Sequence, residues 1–184
     1  VQKSITEVDK RLLVLSNKKI KKSDSINRIG LAVPKVRAEL KKDLSFIGGT
    51  QSETLQYWDK VWKESSYFES MSLALYYYQH KNLSKSEFTK LKTWVDRCTC
   101  WEHSDDLSKK YAQVLEGNPN WVLPIYRKWN KSKCTWKKRQ SVVGLLEYAS
   151  KRKKTLSFND LISFVNPLLS DEEYYVQKGI GWTL

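Results

Sequence analysis

The sequence is organised around the stretch Trp136-Lys137-Lys138-Arg139-Gln140-Ser141-Val142-Val143-Gly144-Leu145-Leu146. An aromatic residue opens it, basic residues follow, and an apolar run completes it. A similar stretch surrounds Phe68, and a third copy begins near Tyr175, so the three openings lie 68 and then 39 residues apart. Such spacings fit paired helices that repeat every ~35 to 40 residues and stack on their neighbours.

Motifs typical of helix N-termini recur along the chain. In a capping box, a hydroxyl and a carboxylate three residues later satisfy each other's free backbone N–H groups. We predict four such boxes, at Thr50-x-x-Glu53, Ser66-x-x-Glu69, Ser84-x-x-Glu87 and Ser170-x-x-Glu173. Asn118-Pro119 and Ser157-Phe158-Asn159-Asp160 indicate two further helix starts.

These patterns predict an all-α protein. The segments between the helix starts have a period near 3.6, and no convincing alternation of period two indicates a strand. We therefore expect a single domain over residues 1–184 with about ten helices, folded as a HEAT-like helical-repeat solenoid, an α-α superhelix. Stacked helix pairs make a curved array, so we also expect a concave groove.

The charge of the chain indicates a polyanionic partner. Lys and Arg number 33 against 20 Asp and Glu, which gives a formal net charge of +13. A balance of this kind favours nucleic acid, although a basic surface can also serve solubility alone. A basic groove would suit a duplex.

Several other classes of function have no support in the sequence. No apolar run approaches the ~20 residues that a membrane helix needs. The pair Gly48-Gly49 lies in no phosphate-binding pattern, so no nucleotide cofactor is predicted. The three cysteines, Cys98, Cys100 and Cys134, are odd in number and have no histidine cluster around them, so neither a disulfide framework nor a metal site is expected. This cysteine usage fits the cytoplasm.

A tryptophan and an acid stand four residues apart in Trp101-Glu102-His103-Ser104-Asp105-Asp106. Positions i and i+4 share one face of a helix, so an indole would lie beside a carboxylate, as suits a site that stabilises something cationic. The pair could equally be a buried tryptophan with a solvated acid. Asp106 is a rival for the role of the acid, and His103 is more simply a bystander.

Three motifs in this order resemble the AlkD-type family of DNA alkylation-repair glycosylases. They are Trp101-x-x-x-Asp105, Trp136-x-x-Arg139 and the ending Gln177-Lys178-Gly179-Ile180-Gly181-Trp182, and the similarity runs from about Pro34 to the end. The ending is the most specific of the three.

The resemblance implies a HEAT-like enzyme that removes cationic N3- or N7-alkylated purines from duplex DNA by hydrolysing the N-glycosidic bond, without flipping the base out. Asp105 would then be the catalytic carboxylate, and Trp101 and Trp182 would pack against the sugar of the damaged nucleotide. Arg139 would bind a backbone phosphate. Lys178 stands three residues after Tyr175, as Arg139 does after Trp136, and is a second candidate phosphate ligand. We expect a cytoplasmic monomer that associates with the nucleoid through DNA.

Other interpretations remain open at this stage. A non-catalytic DNA-binding HEAT-like protein that recognises distorted or branched DNA would keep the basic groove and tolerate loss of Asp105. A protein-interaction solenoid is more distant, because it gives no reason for Trp101-x-x-x-Asp105. Relatives continue with more helices after the position of Trp182, so we expect either a fragment or an uncapped last repeat.

Overall fold

The computed structural model describes residues 5–149 and 156–184 of the chain. Within these ranges it is all-α and contains no strand, only two isolated bridges, Lys21 with Arg28 and Asn27 with Tyr67. Ten α-helices follow one another: α1 (Glu7–Val14), α2 (Val33–Ala38), α3 (Gln51–Glu64), α4 (Phe68–Tyr78), α5 (Lys85–Leu91), α6 (Trp101–Gly117), α7 (Pro119–Asn130), α8 (Thr135–Ala149), α9 (Phe158–Val165) and α10 (Tyr174–Thr183). Short 3₁₀ helices cover Glu39–Lys41, Ser45–Ile47, Lys92–Arg97 and Asn166–Leu168. The predicted fold class is confirmed, and the helix order is consistent with HEAT-like repeats.

Three of the predicted helix starts are confirmed. The Thr50 hydroxyl accepts from Glu53 N–H at 3.2 Å, while the Glu53 carboxylate accepts from Thr50 N–H at 2.9 Å. The Ser157 hydroxyl likewise accepts from Asp160 N–H at 3.1 Å, and α7 begins at Pro119 directly after Asn118. Local sequence suffices at Thr50 and Ser157 because donor and acceptor lie within one turn of each other. At α7 the Asn118 side chain makes no capping bond, and Pro119 stands at the first helical position.

Two of the predicted capping boxes are wrong. The helix after Ser66 begins at Phe68, because the Glu69 carboxylate is used by a distant loop, where it accepts from Ile29 N–H at 2.9 Å and Gly30 N–H at 2.7 Å. The helix after Ser170 begins only at Tyr174. The remaining predicted box, Ser84-x-x-Glu87, coincides with the start of α5, which begins at Lys85.

The helices divide into two compact units. Unit 1 comprises Val1–Lys81 with Lys85–Arg97, and unit 2 comprises Asn82–Ser84 with Cys98–Leu184, as far as these residues are described. This division does not test the expectation of a single domain over residues 1–184, which stays a prediction.

Aromatic residues form the core of unit 1. Trp62 and Trp94 are fully buried and stack with their ring centroids 4.8 Å apart and an interplanar angle of 7°. The Trp62 indole N–H donates to the Trp94 carbonyl at 2.9 Å, so its polar atom is satisfied inside the core. Arg97 donates to the Trp62 and Ser65 carbonyls at the end of α3, and burial lowers the pKa of its guanidinium.

Helix α8 is the central element of unit 2 and packs against α6, α7, α9 and α10. Two glycines permit the closest approaches. A Cβ at Gly144 would collide with the Tyr126 hydroxyl of α7, and a Cβ at Gly179 would stand 3.0 Å from Val143 Cγ2. Near the start of α8 and of α10, Trp136 and Tyr175 contact each other with ring centroids 5.2 Å apart. The two aromatic residues that open the predicted repeats thus meet in space.

Candidate active site

Helix α6 positions the first pair of predicted site residues. It begins at Trp101, after Cys100 in an extended conformation, and Asp105 follows one turn later. Trp101 is 46% exposed, whereas Asp105 is buried. The predicted acid therefore points toward the neighbouring helices while the predicted indole stands at the surface.

Asp105 forms a buried ion pair with Arg139 of α8. The Arg139 Nη2 donates to the Asp105 Oδ1 at 2.7 Å, and the exposed fractions of the two side chains are 1% and 10%. The Arg139 Nη1 donates to the Tyr175 carbonyl at 2.7 Å, so one guanidinium connects α6, α8 and α10. No described residue donates a hydrogen bond to the second Asp105 oxygen, Oδ2. That oxygen keeps its capacity to accept from a ligand or a water molecule.

Trp182 lies close to the same guanidinium. The Cζ atom of Arg139 is 5.3 Å from the centroid of the Trp182 ring, and the Nζ atom of Lys178 is 5.9 Å from it. The indole is 42% exposed and Lys178 is exposed. Distances of this size are within the range of cation–π attraction.

The structure thus brings together four of the five predicted site residues, Asp105, Arg139, Lys178 and Trp182. Trp101 shares α6 with Asp105, but among the described residues it makes no ring or cation–π contact. Its predicted packing against a sugar stays a prediction.

The alternative assignments near Asp105 are less suitable. The Asp106 carboxylate lies 3.4 Å from the Lys109 ammonium one turn along the same helix, and the two side chains are 23% and 43% exposed. His103 is completely buried. Neither is joined to Arg139.

Arg139 is more deeply buried than the sequence indicated. The resemblance to the glycosylase family implied that its guanidinium binds a backbone phosphate, whereas the run Lys137-Lys138-Arg139 by itself is typical of a solvated face. Both terminal nitrogens are instead occupied, by Asp105 and by the Tyr175 carbonyl. A phosphate contact would require the side chain to be uncovered, and it stays a prediction.

Sequence reasoning missed a buried polar network between α6 and α8. The Gln140 amide donates to the Ser104 carbonyl at 2.5 Å and to the Ser104 hydroxyl at 3.1 Å, and the Ser108 hydroxyl donates to the Gln140 Oε1 at 2.8 Å. Ser104 precedes Asp105, and Gln140 follows Arg139. The available signal was the polar residue Gln140 directly before the apolar run of α8.

The described residues contain no group of three histidine, cysteine or acidic side chains placed to hold a metal ion. No helix in residues 5–149 and 156–184 is long and apolar enough to cross a membrane.

The fold and the cluster define a basic, helical-repeat protein with a buried acid–arginine pair beside a half-exposed indole. The sequence model of the family described as DNA alkylation repair enzyme matches residues 15–184. The chain belongs to this family, which confirms the predicted family and makes the protein an enzyme of DNA repair with DNA as its partner. A search among curated proteins found no match.

Proposed function

We propose that the protein is a DNA glycosylase that hydrolyses the N-glycosidic bond of cationic N3- or N7-alkylated purines in duplex DNA without flipping the base. The proposal depends chiefly on one observation: Asp105 is held by Arg139 through Oδ1 alone, with Trp182 beside the pair. This arrangement offers a negative charge of fixed position next to an apolar wall.

The chemistry of the reaction fits such a site. Alkylation at N3 or N7 makes the purine a good leaving group, since it departs with the bonding electrons and becomes neutral. Positive charge then builds on the deoxyribose, as in an oxocarbenium ion. Asp105 stabilises that charge electrostatically and its Oδ2 orients the attacking water. Neither step needs a cofactor.

The aromatic and basic residues hold the DNA in this proposal. Trp101 and Trp182 pack against the sugar, and an indole face attracts a cationic group by ~0.5 to 2 kcal/mol. Lys178 is exposed beside Trp182 and binds a phosphate as a mobile point charge. Arg139 keeps Asp105 in one orientation and reaches a phosphate only if the bound DNA draws it out of its buried position.

The release of free base from duplex DNA that contains 7-methylguanine or 3-methyladenine tests the proposal. We expect Asp105→Asn to lower this release by about 100-fold or more, as for loss of an electrostatic stabiliser, while DNA affinity changes little. Asp106→Asn is the matched control and should retain activity. If the wild-type protein binds DNA but releases no base, the glycosylase proposal fails, and a non-catalytic protein that recognises distorted or branched DNA takes its place.

A further inference from the structure

A strongly basic segment joins α1 and α2 in unit 1. We name residues 16–30 the lysine loop. The loop contains five basic residues against one acid, Asp24, and has a net charge of +4. None of it is helical. It lies outside the cluster around Asp105, which belongs to unit 2.

The backbone of the lysine loop is well anchored. Lys21 and Arg28 exchange two backbone hydrogen bonds, each 2.9 Å long. The Asn27 carbonyl accepts from Phe68 N–H at 2.8 Å, which ties the loop to the start of α4. Buried Glu69 holds the end of the loop through its contacts with Ile29 and Gly30. The side chains of the loop therefore extend from a backbone whose conformation is fixed by these hydrogen bonds.

The lysines of the loop are exposed and have no acidic partner among residues 5–149 and 156–184. Lys18, Lys19, Lys21 and Lys22 all lie at the surface, and none forms an ion pair with a described carboxylate. Other lysines of unit 1 do have such partners: Lys42 lies 2.7 Å from Glu39, and Lys10 lies 3.6 Å from Glu7. Among the described residues, no carboxylate therefore compensates the charge of these four lysines.

We infer that the lysine loop is a second DNA-contact surface, which binds backbone phosphates of the duplex independently of the damaged base. Exposed ammonium groups on a fixed backbone neutralise phosphates and release the counterions condensed on DNA. Lysine acts as a point charge, so the contact carries no base sequence information. The anchored backbone reduces the conformational entropy lost on binding. The inference rests on the DNA-binding part of the proposed function and not on base release.

The salt dependence of binding to an undamaged duplex tests this surface. The loop variant carries Lys18→Gln, Lys19→Gln, Lys21→Gln and Lys22→Gln. Its Kd is measured against that of the wild type between about 50 and 200 mM salt, where each phosphate contact contributes about 0.9 to the slope of log K against log salt. We expect the slope to fall by about two to four, with markedly weaker binding at the lowest salt.

A matched control removes the same total charge elsewhere in unit 1. It carries Lys10→Gln, Lys42→Gln, Lys60→Gln and Lys90→Gln, four lysines that each lie within 4.0 Å of an acid. We expect its slope to match that of the wild type. A third variant with arginine at the four loop positions keeps the charge and should restore the wild-type slope, which separates charge loss from misfolding.

A difference in slope of less than about one between the loop variant and the control variant would overturn the inference, since it would leave net charge alone to account for binding. Failure of the proposed function is a separate outcome. A wild-type protein that releases no base could still show the loop-dependent slope, because the measurement uses undamaged DNA.

Discussion

Gln140 donates to the carbonyl of Ser104, and so joins α8 to α6 one residue away from Arg139 and one residue away from Asp105. Two neighbouring bonds between the same helices, one neutral and one charged, fix how far α8 can slide along α6. The position of the Asp105 carboxylate therefore depends on Gln140, a residue that need not touch DNA.

Gln140→Leu should destabilise the protein. The change removes the donors to Ser104 and the acceptor for the Ser108 hydroxyl, and buried polar groups left without partners cost about 1 to 3 kcal/mol. Urea denaturation measures the loss. Gln56→Leu on the exposed face of α3 is the control and should stay within about 0.5 kcal/mol of the wild type. Equal stability of the two variants would show that the network contributes nothing.

Arg139→Leu should destabilise more strongly, by about 3 to 5 kcal/mol, because it leaves the Asp105 carboxylate buried and unpaired. Combining it with Asp105→Leu should recover much of that loss, since the unpaired charge is then gone. Chemical denaturation of both variants and of Lys109→Leu, the partner of Asp106, makes the comparison. Lys109→Leu should cost no more than about 1 kcal/mol. A double variant less stable than Arg139→Leu alone would contradict the prediction.

Gly179→Ala and Gly181→Ala on α10 should change the stability of the protein in opposite directions. A Cβ at Gly179 would meet Val143 Cγ2 at 3.0 Å and Arg139 Nη1 at 3.4 Å, and because both side chains are buried and closely packed, their displacement should cost about 1 to 3 kcal/mol. Gly181 has no neighbour within 4 Å of the added Cβ, and alanine there should stabilise the helix by up to about 1 kcal/mol. Thermal unfolding distinguishes them, and equal midpoints for the two variants would refute the packing argument.

Trp182→Ala should lower the rate of base release. The attraction of the 42% exposed indole for the positively charged sugar, about 0.5 to 2 kcal/mol, corresponds to a roughly 2- to 30-fold lower rate. Single-turnover kinetics on 7-methylguanine DNA measure the rate, and a denaturation curve measures how far the variant is folded under the assay conditions. Phe158→Ala on α9, where the ring is 73% exposed, is the control and should leave the rate unchanged. An unchanged rate for Trp182→Ala would exclude the indole from the reaction.

Some of the helices, such as α3 and α9, could be predicted because their start signals act within one turn. Thr50 and Glu53 find each other locally, whereas Glu69 is used by a loop some forty positions earlier, which no local motif announces. Helical spacing also shows which face a residue occupies but not how deeply that face is buried. The resemblance to the family, and not helical spacing, indicated that Arg139 belongs with Asp105 and Trp182, while its burial and its bond to the Tyr175 carbonyl emerged only from the packing of α10 on α8.

The bond from Arg139 to α10 ends on a main-chain oxygen, that of Tyr175. Exchange of the side chain at this position leaves that acceptor in place, so the bond itself tolerates sequence drift there. Insertion or deletion of a residue between Leu168 and Tyr174 would have the contrary effect, because it shifts the helix register and withdraws the carbonyl. Length variation in this short connection, rather than amino-acid identity at position 175, is what should separate relatives that retain the three-helix arrangement from those that have lost it.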